Sequence, residues 1–203
     1  MSMDNYLMLN GKQIDLTEEQ VAEIKQSFGI GNIRLSEIVE SETFKIGKYE
    51  FIVLEQSGDT TAVILKDPLY ERKQFGKNNN YDGSDVDKLC IEFGKEIEEF
   101  IGEENLVEHT VDLTADDGLK CYGSIRRKMS LITAQMYRKY VYTLDKYPVK
   151  LCWWLATAYS TKKHDDTSWI KCVSPSGYIN YGNYYSNCAV RPFCILKSNI
   201  FVS

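Results

Sequence analysis

The sequence LCWWLAT, residues 151–157, opens the C-terminal third of the chain. Three further segments follow it: WIKCV (169–173), YINYGNYYSN (178–187) and AVRPFCIL (189–196). All three tryptophans of the chain lie in this third. Large aromatic side chains bury on the order of 150–250 Å² each, so we expect the centre of the core here, with a recognition surface at its rim.

The composition is that of a folded globular protein. With 203 residues, of which 43% are hydrophobic and 26% charged, the chain can form one domain with an accessory piece. The net charge of −5 argues against a broad surface for nucleic acid or anionic membranes, because binding phosphate requires clustered Lys and Arg. Direct nucleic-acid binding is therefore not expected, whereas a basic protein partner is compatible with this charge.

The sequence contains neither the pattern of a signal peptide nor an apolar window near the ~18 residues of a membrane span. We therefore expect no membrane association, and a location in the cytoplasm of a host cell or in a virion.

Residues 1–32 predict an N-terminal appendage made of a β-hairpin and a helix. Residues 6–9 and 12–16 flank the turn Asn10-Gly11, which is the spacing of a two-residue hairpin. Thr17 and Gln20 have the spacing of a helix-capping box. Val21, Ile24 and Phe28 then form an apolar stripe that ends at Gly29. Such a small unit must dock, either on its own main domain or on a partner or second copy.

Residues 33–203 predict an α+β domain. The runs 44–46, 49–55 and 60–65 have the β-rich pattern and Gly turns of an antiparallel meander. Ser84 should cap a first helix, and Thr133 a second helix that ends before Pro148. Strands are expected at 106–113 and 128–132. No alternation of strand, helix and strand suggests a parallel sheet. The apolar residues expected on one face of the first helix are Val86, Leu89, Cys90, Phe93, Ile97, Phe100 and Ile101.

The sequence offers little catalytic chemistry. His109 falls in a strand pattern and His164 in a hydrophilic loop, so both are interpreted as non-catalytic. Asp116 and Asp117 are interpreted as turn residues. The six cysteines include no Cys-x-x-Cys pair and are interpreted as small buried hydrophobic residues, so neither a metal site nor a cofactor is predicted. These cysteines are Cys90, Cys121, Cys152, Cys172, Cys188 and Cys194.

The segment 178–187 has the composition of a binding surface. Tyr supplies wide amphipathic contact at low entropy cost, and Asn, Ser and Gly adapt their hydrogen bonds to a partner. The alternative is a Tyr-rich hairpin that fills its own sheet face. The predicted partner-binding residues are Tyr178, Asn180, Tyr181, Asn183, Tyr184, Tyr185 and Asn187.

The motifs WWLAT (153–157), VSPSG (173–177) and AVRPFCIL (189–196) resemble a family of uncharacterised proteins from Firmicutes and their phages. That family looks like a relative of the C-type-lectin and formylglycine-generating-enzyme fold. The resemblance covers about residues 44–203. It implies a C-type-lectin-like domain with short, mainly antiparallel strands and two helices. The residues expected in its scaffold are Trp153, Trp154, Trp169 and Arg191.

The enzyme branch of that fold needs a close cysteine pair for copper, and here only Cys188 and Cys194 are near each other in sequence, at a different spacing. An enzyme is therefore not expected. The enzyme alternative would require Cys188 to lie close to another cysteine.

The sequence thus predicts a non-enzymatic binding module of a phage or mobile element that recognises a macromolecule, above all a protein, through residues 178–187. Three alternatives stay open. One is an intracellular inhibitor of a host antiviral defence nuclease, similar in role to anti-CRISPR proteins. Another is a receptor-binding, glycan-binding or structural virion protein, which in the structural case would form an oligomer through residues 5–29. The third is an enzyme of the formylglycine-generating type.

Overall fold

The computed structural model describes residues 6–9, 11–17, 19–21 and 33–203. It is an α+β structure in which mostly antiparallel strands form several sheets. Among the residues described, the two long helices are α1 (Asp85–Ile101) and α2 (Ala134–Leu144). The strands are β1 (Tyr6–Leu9), β2 (Lys12–Asp15), β3 (Ile33–Arg34), β4 (Thr43–Ile46), β5 (Tyr49–Ser57), β6 (Thr60–Leu65), β7 (Tyr70–Lys73), β8 (Leu106–Val107), β9 (His109–Asp112), β10 (Ser124–Arg127), β11 (Met129–Ser130), β12 (Trp153–Ala158), β13 (Trp169–Val173), β14 (Ile179–Asn183), β15 (Cys188–Val190), β16 (Phe193–Lys197) and β17 (Phe201–Val202).

The N-terminal hairpin and its helix cap are confirmed. Strands β1 and β2 pair antiparallel, and Gly11 takes the positive φ of +77° that the turn requires. The backbone N–H of Thr17 donates to Gln20 Oε1 at 3.0 Å, and the N–H of Gln20 donates to Thr17 Oγ1 at 3.2 Å. These two bonds complete the capping box. The predicted stripe continues through Ile24 and Phe28 outside the described residues.

The two ends of the segment 33–203 lie side by side, because β3 pairs with β17. The larger sheet has the order β11-β16-β6-β5-β4, with β8 also paired to β16, and contains the predicted meander of β4, β5 and β6. The predicted strand at 128–132 is shorter than expected and covers only Met129–Ser130.

Helix α1 packs on the larger sheet. It begins where expected, with Ser84 Oγ accepting a hydrogen bond from the backbone N–H of Asp87 at 3.1 Å. Val86, Cys90, Phe93 and Ile97 of its apolar stripe are buried, as predicted. The stripe is narrower than expected because Phe100, near the end of the helix, is exposed.

The second sheet has the order β14-β13-β12-β15-β7, and only the pair β12–β15 is parallel. Strand β12 is buried along its whole length. Successive side chains of a strand point to opposite faces. Trp154 therefore packs edge-on against Phe75 in one core, while Trp153 packs against Tyr137 of α2 in another. This strand is shared by the two cores.

Arg191 lies where the chain passes from β15 to β16 and so from one sheet to the other. Its Nε donates to the backbone carbonyl of Leu65 at 2.8 Å, and its guanidinium lies 5.4 Å from the ring centroid of Trp153. Burial lowers the pKa of Arg191 to about 10. Arg191, Trp153 and Trp154 thus occupy the interior positions expected of scaffold residues.

Candidate functional site

The segment 178–187 forms the edge strand β14 and the turn that follows it. All five residues of β14 pair with β13, from Ile179 opposite Val173 to Asn183 opposite Trp169. Three of the four tyrosines are well exposed: Tyr178, Tyr181 and Tyr185. Asn180 and Asn187 are exposed as well. Most of the predicted partner-binding residues therefore face solvent.

Two of the residues predicted to bind a partner, Asn183 and Tyr184, point inward instead. Asn183 is buried, and its Oδ1 accepts the backbone N–H of Tyr185 at 3.4 Å, so its side chain shapes the turn. Tyr184 is half-buried against the core. Its backbone carbonyl accepts from Phe75 and its N–H donates to Ser168, which holds this part of the turn inward.

Trp169 also differs from expectation. The sequence places it in the scaffold, but 40% of its surface is exposed because it is the first residue of β13, beside the sheet edge. Its ring packs nearly perpendicular to that of Tyr181 at a centroid distance of 5.4 Å, and the ring of Tyr159 also packs against Tyr181, at 5.3 Å. Tyr159 and Tyr181 are 43% and 53% exposed. We call Tyr159, Trp169 and Tyr181 the aromatic patch.

A buried lysine supports the aromatic patch from below. Lys171 Nζ lies 5.5 Å from the ring centroid of Tyr159 and 5.9 Å from that of Tyr181. It also forms an ion pair with Asp116 at 3.2 Å, and Arg138 reaches the other oxygen of Asp116 at 3.1 Å. Burial alone would raise the pKa of Asp116, but the hydrogen bonds from Arg138 and Lys171 outweigh it and lower that pKa. The lysine charge is thus compensated, and the rings have a fixed support.

An acidic hollow adjoins the aromatic patch. It is an open cavity of about 440 Å³. Its lining residues are Asp116, Asp117, Tyr159, Ser160, His164 and Asp166.

Asp117 lies in the acidic hollow and has three hydrogen-bonding partners, of which the backbone N–H of Leu119 donates to its Oδ1 at 3.1 Å. Ser160 Oγ donates to Asp117 at 2.5 Å, and His164 Nδ1 lies 3.0 Å away. These bonds, that of Ser160 first, lower the pKa of Asp117. Asp116 and Asp117 therefore bind different partners, Asp116 through Arg138 and Lys171 and Asp117 through Ser160 and His164.

His109 is buried, as the strand pattern indicates. Its Nε2 lies 2.9 Å from Ser130 Oγ, and its ring packs edge-on against Phe193. Burial lowers the pKa of His109 to about 4, so the ring is neutral at pH 7. The His109 side chain thus belongs to the interior of the domain, as the strand pattern predicted.

The sequence analysis predicted the burial of some cysteines correctly but not of all six. Cys90 and Cys194 are buried as expected, but Cys121 is exposed and Cys152 is half-buried. A cluster that the sequence analysis did not predict is formed by Cys152, Cys172 and Cys188, whose sulfur atoms all lie within 4.8 Å of one another. We call these three residues the cysteine cluster. The enzyme alternative required Cys188 to lie close to another cysteine, and this condition is met. The neighbours of Cys188 are Cys152 and Cys172, however, and not Cys194, the cysteine near it in sequence.

Strand pairing explains how the cysteine cluster forms. Trp154 is opposite Cys172 in the antiparallel pair β12–β13, and Trp153 is opposite Ala189 in the parallel pair β12–β15. Since side chains alternate between faces, the three cysteines share the face of Trp154. Only the register of these three strands reveals the cluster, since no short motif in the sequence encodes it.

The pKa values of the three thiols in the cysteine cluster are shifted in different directions. The thiols of Cys172 and Cys188 donate hydrogen bonds to Cys152, which lowers the pKa of Cys152. The same bonds raise the pKa of Cys172 and of Cys188. Cys152 is therefore the thiol of the cluster that loses its proton most readily.

Comparison of the chain with protein-family models, curated proteins and solved structures found no match. In the described ranges, no helix is both long and apolar enough to cross a membrane.

Proposed function

We propose that this chain is a non-enzymatic binding module, with a C-type-lectin-like fold, that recognises a basic segment of a protein partner. The contact surface consists of the aromatic patch and the acidic hollow beside it. The observation that carries the proposal is that Tyr159, Trp169 and Tyr181 pack against one another at a sheet edge while each stays at least 40% exposed.

Exposed aromatic rings of this kind are suited to binding. Tyr and Trp are enriched among the residues that carry most of the free energy of protein interfaces, and they lose little side-chain entropy on binding. Here the rings also support each other and rest on the Lys171–Asp116 ion pair. Their positions are therefore set before a partner arrives, which reduces the entropy cost of association.

The charge beside the aromatic patch supports the choice of a basic partner in this proposal. Asp117 and Asp166 line the acidic hollow next to Tyr159, and the whole chain carries a net charge of −5. A Lys or Arg side chain could contact the carboxylates and place its cation over the exposed rings. A nucleic acid would be repelled by the same carboxylates.

Basic surfaces are common on proteins that bind nucleic acid, so the proposed partner class includes a host defence nuclease. The inhibitor alternative uses the same surface and is a special case of the proposal. The origin in a phage or mobile element and the lectin-like fold rest on the resemblance of WWLAT, VSPSG and AVRPFCIL to the Firmicutes and phage family.

The test uses a panel of fluorescent Lys/Arg-rich peptides and acidic peptides of equal length, with binding measured by anisotropy. We expect the basic peptides to bind and the acidic ones not to bind, and the affinity to fall as salt screens the carboxylates. Tyr181→Ala and Trp169→Ala should each weaken binding about tenfold or more, which corresponds to a loss of about 1.4 kcal/mol.

Tyr142→Ala is the matched control, because Tyr142 lies on α2, is 85% exposed and is outside the aromatic patch. Equal losses for Tyr142→Ala and Tyr181→Ala, or equal binding of acidic and basic peptides, would contradict the proposal.

A further inference from the structure

The three sulfur atoms of the cysteine cluster are close enough together to bind a single metal ion. The three sulfur atoms lie within 4.8 Å of one another. Zn–S bonds of ≈ 2.3 Å in tetrahedral geometry set the sulfur atoms about 3.8 Å apart, so the sulfurs need to move by at most about 1 Å. Small rotations of the Cys side chains can supply that movement. Cys172 lies in β13 and Cys188 in β15, and Cys152 directly precedes β12, which pairs with both of those strands.

We propose that Cys152, Cys172 and Cys188 bind one Zn²⁺ ion through three thiolate sulfurs, with the fourth coordination position open to water or an exogenous ligand. This inference is independent of the proposed binding surface.

Burial favours a divalent ion in the cysteine cluster. Cys172 and Cys188 are buried, and Cys152 is half-buried. Three thiolates carry a charge of −3, and an uncompensated charge is costly in the interior. Zn²⁺ leaves a net charge of −1, whereas a monovalent Cu⁺ would leave −2. Soft thiolate ligands suit both ions, so the remaining charge decides between them.

The fourth coordination position of the Zn²⁺ ion is expected on the side of the cluster that faces solvent. Among the described residues, no fourth Cys, His, Asp or Glu joins the three cysteines. A site with three protein ligands keeps a position for water or another ligand. Since Cys152 is the half-exposed member, that position lies on its side.

A disulfide fits the same cluster less well. A disulfide requires a sulfur separation of about 2.05 Å and leaves the third thiol unpaired. The six cysteines are all free thiols in this structure. Metal binding, in contrast, uses all three sulfurs at once.

The experiment titrates Zn²⁺ into reduced, metal-free full-length protein in the absence of oxygen, with a chromophoric chelator as competitor. We expect one Zn²⁺ per chain. Replacing Zn²⁺ by Co²⁺ should give the intense charge-transfer absorption of thiolate–cobalt bonds. The variant Cys152→Ser should weaken binding by more than the roughly 10–100-fold that outer-shell changes cost, because it removes a direct ligand.

Cys121→Ser is the matched control, since it removes one exposed cysteine outside the cluster and should leave the affinity unchanged. Zinc protection from alkylation, read by mass spectrometry on the wild-type protein, avoids any concern about a variant that fails to fold. It should slow modification of Cys152 and leave Cys121 reactive.

The proposal is overturned if the reduced protein binds no stoichiometric Zn²⁺, or if Cys152→Ser binds it as tightly as the wild type. Binding of Cu⁺ without binding of Zn²⁺ would also overturn the assignment and would favour the enzyme alternative. A disulfide within the cluster in protein purified without oxidant would overturn it as well.

Discussion

The substitution Gly182→Ala should destabilise the domain through one contact with Trp154. A Cβ at position 182 would lie 3.0 Å from Cη2 and 3.1 Å from Cζ3 of that indole ring. Carbon atoms in good contact are about 3.5–4.0 Å apart, so something must move by roughly 0.5 Å. The ring is fully buried, is held by a 2.8 Å hydrogen bond from Nε1 to the carbonyl of Lys73, and packs edge-on against Phe75. The edge strand β14 must therefore move outward.

The expected cost of Gly182→Ala is about 1–3 kcal/mol, the usual range for overpacking a core. It is measured as the change in the free energy of unfolding in urea. A double-mutant cycle with Trp154→Phe isolates the contact, because phenylalanine lacks the outer ring that the new methyl group meets. In that background Gly182→Ala should cost less than about 0.5 kcal/mol.

An equal cost of Gly182→Ala in both backgrounds would refute the packing argument. Because β14 also carries Tyr181, the single variant should in addition weaken binding of basic peptides. This effect on peptide binding depends on the proposed function, so it is measured separately from the free energy of unfolding.

Two further predictions concern buried charge. Burial lowers the pKa of His109 from 6.5 to about 4, so between these pH values the unfolded chain binds more protons than the native one. Stability should fall by about 2 kcal/mol between pH 7 and pH 5, and His109→Gln should remove this loss in urea unfolding curves. Arg127 pairs through Nε and Nη2, at 2.9 Å and 2.7 Å, with the fully buried carboxylate of Asp87. Arg127→Met should therefore cost about 3–5 kcal/mol in urea unfolding, and adding Asp87→Asn should recover much of it; no recovery would mean that lost packing, rather than the unpaired charge, is responsible.

The features that the sequence predicted correctly are local. Thr17, Ser84 and Thr133 each cap a helix through a hydrogen bond to a backbone N–H three residues on. A bond over that distance depends on residue type and spacing alone, so a linear pattern reveals it. The meander of β4, β5 and β6 was predictable for the same reason, since its strands are joined by short turns.

The features that the sequence missed depend on pairing between distant strands. Trp169 is exposed because β13 lies beside the edge strand β14, a position that apolar patterning does not encode. The cysteine cluster requires β12 to pair with both β13 and β15, one of them in parallel. A pattern of residues specifies which face a side chain takes, but not which strand lies next to it.

The position of β16 has a consequence for biosynthesis. This strand, near the C-terminal end, lies inside the larger sheet between β6 on one side and β8 and β11 on the other. A nascent chain emerges from the ribosome with its N-terminal part first. Until residues 193–197 emerge, β6 and β11 each keep an open edge of unpaired backbone groups, which is a template for aggregation. The larger sheet can therefore close only after residues 193–197 have been synthesised.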